Sequence, residues 1–100
     1  VKVSTIFNIR NVELKRTVET SLIYAMTEMG ELSDEILKGI GHSIKPETED
    51  GVIGECVDVI VCLLDIIQLS YPEVSATQLA MEINKTIDKK VDKWSNKKYS

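Results

Sequence analysis

Cysteine, proline, glycine, histidine and aromatic residues are all scarce in this 100-residue chain: two Cys, two Pro, five Gly, one His and five aromatics. Each scarcity closes off a class. Cys56 and Cys62 lie on one apolar run at a spacing that cannot bridge within a helix and fits no metal motif, so both read as reduced core thiols. Few helix breakers, with 43% hydrophobic and 28% charged residues, argue for an ordered, helical domain rather than a disordered chain. The longest apolar run, 59–64, is too short to cross a bilayer. No secretory leader is read in VKVSTIF, which is soon followed by Asn8, Arg10, Asn11 and Glu13. These features predict a single domain over 1–100, cytoplasmic, with no membrane partner.

What is present is charge, unevenly placed. Residues 85–98 hold six Lys against Asp88 and Asp92, a local balance of +4, so with a net charge of -4 the rest of the chain carries -8. The two parts suit each other or a shared anionic ligand. A nucleic-acid partner is not expected, because the domain is acidic overall, with a pI near 5.0.

Three long helical patterns organise the chain, and no pair of alternating strand patterns exists, so the predicted fold class is all-α. Over about 16–38, Val18, Leu22, Ala25, Met29, Leu32 and Ile36 share one face, and Gly39 and Gly41 end the run. Residues 40–51 read as a loop, with His42, Ser43 and Lys45 candidates for a lid. The second helix is predicted over 52–69, closed by Tyr71 and Pro72. The third starts at Ser75, which with Gln78 reads as a capping box, and follows Ala76, Ala80, Ile83, Ile87, Val91 and Trp94. Residues 1–15 fit either a short helix or an extended arm.

The second helix raises a problem of charge. Thirteen of its eighteen positions are apolar, which predicts burial nearly all round, yet Glu55, Asp58 and Asp65 fall with Cys62 in one narrow stripe. On the first helix Tyr24, Glu28, Glu31 and Glu35 form a second stripe along the edge of the apolar face. If the loop turns the chain back, the helices pack antiparallel and the stripes can face each other. Two like charges about 4 Å apart repel by roughly 4 kcal/mol at an effective dielectric near 20. Such a cluster either stays partly protonated or takes a cation. An all-oxygen set without His or Cys suits a hard divalent ion, Mg²⁺ or Mn²⁺; lysines are the structural alternative. No E-x-x-H motif occurs, which disfavours di-iron chemistry.

The order E28-M-G-E31-L, then G54-E55-C-V-D58-V-I with an apolar LLDI run, resembles the MazG-like all-α nucleotide pyrophosphohydrolases over roughly residues 18–94. The resemblance implies an antiparallel helical bundle completed by dimerisation, as a homodimer or homotetramer. It also implies Mg²⁺-dependent hydrolysis of nucleoside or deoxynucleoside triphosphates to monophosphate and pyrophosphate. On this likeness Glu28, Glu31, Glu55 and Asp58 form the metal-binding and catalytic set. Two departures stand out: Thr27 where the family often has a further Glu, and a C-terminal cluster of Lys and Asn without Arg.

Substrate contacts are expected from Lys90, Lys93 and Lys97, beside the stripe that docks the third helix, and from Trp94 and Tyr24 as aromatic neighbours of the nucleotide. Asp65 reads as a support to the cluster, a pocket group or a partner for a lysine across a dimer. Dimerisation has its own argument: Ile23 and Leu37 lie off the first helix's main face, and three helices can hardly cover the second. The alternative function is a non-catalytic helical module that binds nucleotides or proteins.

Overall fold

The structure, a computed structural model, describes residues 1–41 and 51–99, with side chains described as far as Asn96. The described residues form four α-helices and no strand: α1 Val3–Arg10, α2 Val18–Gly39, α3 Gly51–Ser70 and α4 Ala76–Tyr99. The all-α expectation is borne out, and of the ambiguous residues 1–15, those from 3 to 10 form a helix while 11–15 are irregular. No described helix is long and apolar enough to cross a membrane. The 42–50 part of the expected loop, including His42, Ser43 and Lys45, lies outside the described residues.

Side-chain caps mark the starts of α2 and α4. Thr17 caps α2, its Oγ1 accepting from the Thr20 N–H at 3.1 Å while the Thr20 hydroxyl accepts from the Thr17 N–H at 2.9 Å. Only half of the expected box forms on α4: Ser75 Oγ accepts from the Gln78 N–H, but the Gln78 side chain turns forward to Glu82. At the end of α2, Gly41 has φ +79°, a left-handed conformation in which a glycine avoids the clash of a Cβ.

α2 and α3 form the main helix pair and run antiparallel, since Ser21 meets Asp65 near one end and Glu31 meets Glu55 near the other. α1 bridges α3 and α4. Ile6 is wholly buried there with Leu64, Leu79 and Ala80, and Ile9, Ile67 and Ile83 pack around them. Burying each large aliphatic side chain in this cluster contributes about 1.5–3 kcal/mol.

Two expectations about packing are corrected. The face of α2 turned inward matches the expected apolar stripe only in part: Ala25 is buried and Val18 and Leu32 half-buried, but Leu22, Met29 and Ile36 are exposed while Ser21 and Glu35 are buried. The helix is rotated toward its polar edge because Ser21 bonds Asp65, drawing that edge onto α3. Nor is α3 buried all round. Ile53 is 80% exposed, and Val57, Ile60, Val61 and Leu63 are exposed with it, because α2 and α1, the helices packed most closely on α3, leave that side uncovered. α4 behaves likewise. Its stripe is covered from Ala76 to Ile83, and every residue from Asn84 to Asn96 is exposed.

Candidate metal centre and adjoining cavity

The antiparallel pairing brings three of the four expected carboxylates together. Glu28 and Glu31, one turn apart on α2, meet Glu55 of α3 with one oxygen from each lying within 4.8 Å of the others. Glu55 is buried, Glu28 half-buried and Glu31 exposed, so the cluster opens from the interhelical seam toward solvent. Asp58, one turn beyond Glu55, is exposed and stands outside the converging trio, though near enough for its charge to act on Glu28. Burial, then the Glu31 carboxyl in hydrogen-bond contact, then the charges of Glu31, Asp58 and Glu55 raise the Glu28 pKa above its ordinary value. Glu28 Oε2 is buried and accepts no hydrogen bond among the described residues.

That chemistry fits a hard divalent cation. The donors are all carboxylate oxygens, one of them buried without a partner, and a cation would relieve the mutual repulsion that raises Glu28. Thr27 does not join the set, because its hydroxyl is exposed and donates to the Ile23 carbonyl on its own helix at 3.1 Å.

Two neighbouring carboxylates have other duties. Glu35, which extends the α2 stripe, is buried and paired with Lys38 at 3.4 Å; Lys38 also reaches Asp34 at 3.6 Å. Asp65, at the far end of the α3 stripe, is 6% exposed and accepts four hydrogen bonds. They come from Arg16 Nε and Nη2 at 2.6 and 2.9 Å, Ser21 Oγ at 2.7 Å and Gln68 Nε2 at 2.9 Å. Burial pushes the Asp65 carboxyl up, but the bonds from Arg16, Gln68 and Ser21 and the Arg16 charge together hold it below its ordinary range. Asp65 is thus paired with an arginine of its own chain. A bidentate guanidinium satisfies both carboxylate oxygens at once, which a lysine cannot do.

Beside the cluster lies a cavity of 390 Å³. Tyr24 and Glu28 of α2 and Val61 and Cys62 of α3 line one side. Val12, Leu14 and Lys15, from the segment between α1 and α2, line the other. Ile9, Arg16, Ser21 and Asp65 complete the lining. Burial, followed by the charges of Glu28, Asp65 and Asp58, raises the Cys62 thiol above its ordinary value, which disfavours the thiolate. Sequence reasoning missed the part played by residues 11–17, which carry no periodic pattern. The one available signal was Asp65, whose burial demanded a cation from somewhere.

The expected residues on α4 stand apart. Lys90, Lys93 and Trp94 are exposed on its outlying half, Trp94 at 76%, and none lines this cavity. The side chain of Lys97 lies outside the described residues. A second, larger groove of 670 Å³ runs between the end of α3 and α4, lined by Ile67, Tyr71, Leu79, Ile83 and Ile87 among others. No protein-family model, no curated protein and no solved structure matches the chain.

Proposed function

We propose that the chain is a Mg²⁺-dependent nucleoside or deoxynucleoside triphosphate pyrophosphohydrolase with a MazG-like bundle. The observation that carries this reading is the convergence of Glu28, Glu31 and Glu55 between two antiparallel helices, with a partnerless buried oxygen on Glu28. In this reading Glu28, Glu31 and Glu55 hold the ion, Mg²⁺ or Mn²⁺. When bound, the ion neutralises charge on the phosphate oxygens and the departing pyrophosphate. Water attacks the α-phosphorus, forming a P–O bond as the bond to the oxygen bridging the α and β phosphorus atoms breaks, and pyrophosphate leaves with that electron pair. Asp58, exposed beside the trio, accepts the proton of the attacking water on its carboxylate. The cavity takes the nucleoside. Its volume falls within the range of small-molecule sites, and Tyr24 offers an aromatic face.

The reading includes a homodimer or homotetramer. The chain exposes 7757 Å², against about 5,700 Å² for a compact monomer of its mass. The excess of roughly 2,000 Å² per chain is what a stable obligate interface removes. Pairing would cover the exposed stripes of α2, α3 and α4, and the proposed substrate contacts Lys90, Lys93, Lys97 and Trp94 depend on it.

One observation favours the alternative, a non-catalytic helical module that binds nucleotides or proteins: Thr27 is folded back on its own helix, leaving three converging carboxylates. Incubation with a panel of NTPs and dNTPs plus Mg²⁺ separates the two. Monophosphate and pyrophosphate support the hydrolase; orthophosphate as the primary product rejects the bond assignment. Absence of turnover with every nucleotide favours the module.

A further inference from the structure

We infer that Lys15, carried on a strap formed by residues 11–17, is a phosphate contact for an organic polyphosphate held in the cavity beside Glu28. The strap has no regular backbone structure, yet it is fixed. Arg16, anchored on Asp65, donates from Nη1 to the carbonyls of Leu14 at 2.9 Å and Val12 at 3.4 Å, and from Nη2 to that of Ile9 at 3.2 Å. Just before the strap, Arg10 bonds Gln68 Oε1 at 3.2 Å and the carbonyls of Val74 and Tyr71 at 2.6 and 3.2 Å. Arg16 thus ties the strap to α3, Arg10 anchors the chain just before it, and Val12, Leu14, Lys15 and Arg16 form a wall of the cavity. The ordering cost of that wall is met in folding rather than on ligand binding.

Two cationic side chains line the cavity, and only one is available. Arg16 is committed to Asp65, while Lys15 is exposed and has no ion-pair or hydrogen-bond partner among the described residues. At the same cavity Glu28 carries the carboxylate that suits a divalent cation. With a cation held at the carboxylates, an anion entering here would meet positive charge from that ion as well as from Lys15. Apolar Val12, Leu14 and Val61 offer contact to an organic body. That combination selects a polyphosphate with an apolar or aromatic group rather than a simple anion. The inference rests on the nucleotide reading only for the identity of that group.

Calorimetric titration of the full chain with Mg²⁺ and a nucleoside triphosphate whose α,β-bridge is an imido group, and separately with inorganic tripolyphosphate, tests it. Lys15→Ala should weaken both by about tenfold or more, Lys15→Arg should stay within about threefold of wild type, and raised salt should shrink the loss. Mn²⁺ binding without phosphate should be unchanged in Lys15→Ala, which shows that the cluster and fold are intact. A Lys15→Ala chain that binds tripolyphosphate like wild type overturns the inference. Wild-type protein that binds tripolyphosphate but no nucleotide overturns the nucleotide reading while the Lys15 variants still decide this one. Binding of neither overturns both.

Discussion

Asp65 and Glu55 occupy one stripe of α3, about three turns apart, and their surroundings are opposite. At the Asp65 end a buried carboxylate meets a bidentate arginine, a serine and a glutamine, and its pKa is held down. At the Glu55 end it meets other carboxylates, and the pKa of the neighbouring Glu28 is pushed up. The first arrangement is satisfied by the chain alone and acts as a structural pin. The second sets like charges side by side and leaves one Glu28 oxygen buried without a hydrogen bond. Carboxylates on one helix face thus divide into structure and site according to what the opposing element offers, and spacing alone does not distinguish them.

The largest effect expected at the Glu55 end is on catalysis. Glu28→Gln and Asp58→Asn should each lower turnover by about 10³-fold while the circular dichroism spectrum stays helical. If both remain active, the site is elsewhere and the comparison fails. At the Asp65 end the corresponding break is in folding. Arg16→Met leaves a buried charge without its counter-ion and should cost roughly 2–3 kcal/mol in urea unfolding. That is below the value for a fully buried pair, because 15% of the Arg16 side chain remains exposed.

Metal ions should separate the two ends next. Mn²⁺ at about 100 times its Kd should stabilise the wild type by about 2.7 kcal/mol, read as a rise in Tm. Glu28→Gln should lose most of that rise, whereas Lys15→Ala should keep it. A wild-type Tm indifferent to both Mg²⁺ and Mn²⁺ would overturn the metal assignment of the trio.

The smallest effect is on the pH dependence of metal-free stability. Glu28 has a raised folded pKa, so its contribution is full below the unfolded carboxyl value of about 4 and is lost as pH rises through the raised value. Asp65 has a lowered folded pKa, so its contribution is present above the unfolded value of about 4 and is lost as pH falls through the lowered one. Acidifying from pH 7 should therefore first stabilise the chain through Glu28 and then destabilise it through Asp65. Glu28→Gln should remove the rise and Asp65→Asn blunt the fall. A monotonic profile in the wild type would contradict the opposition of the two ends.

Much of the fold was legible because local rules operate on neighbouring residues. The three long helices lie within a few residues of their expected ends, where Thr17, Ser75 and Gly41 act through turns and caps. The facing acidic stripes were likewise visible in the spacing of Glu28, Glu31, Glu55 and Asp58. The inward face of α2 was legible only in part, because its apolar pattern pointed to Leu22, Met29 and Ile36 as well as Ala25, while the contact with α3 uses Ser21 and Glu28. A pattern records which residues avoid water, not which helix will supply the cover.

By itself, then, the sequence determined four carboxylates on two helices, an apolar α3 and a lysine-rich α4, since residue type and helical period suffice for each. Only tertiary structure decided that three carboxylates converge while Asp58 stands aside, that Asp65 belongs to Arg16, and that residues 11–17 wall a cavity beside Glu28. Those outcomes depend on pairings such as Arg16 with Asp65, 49 positions apart, where burial makes the choice of partner and local propensity carries no information about it.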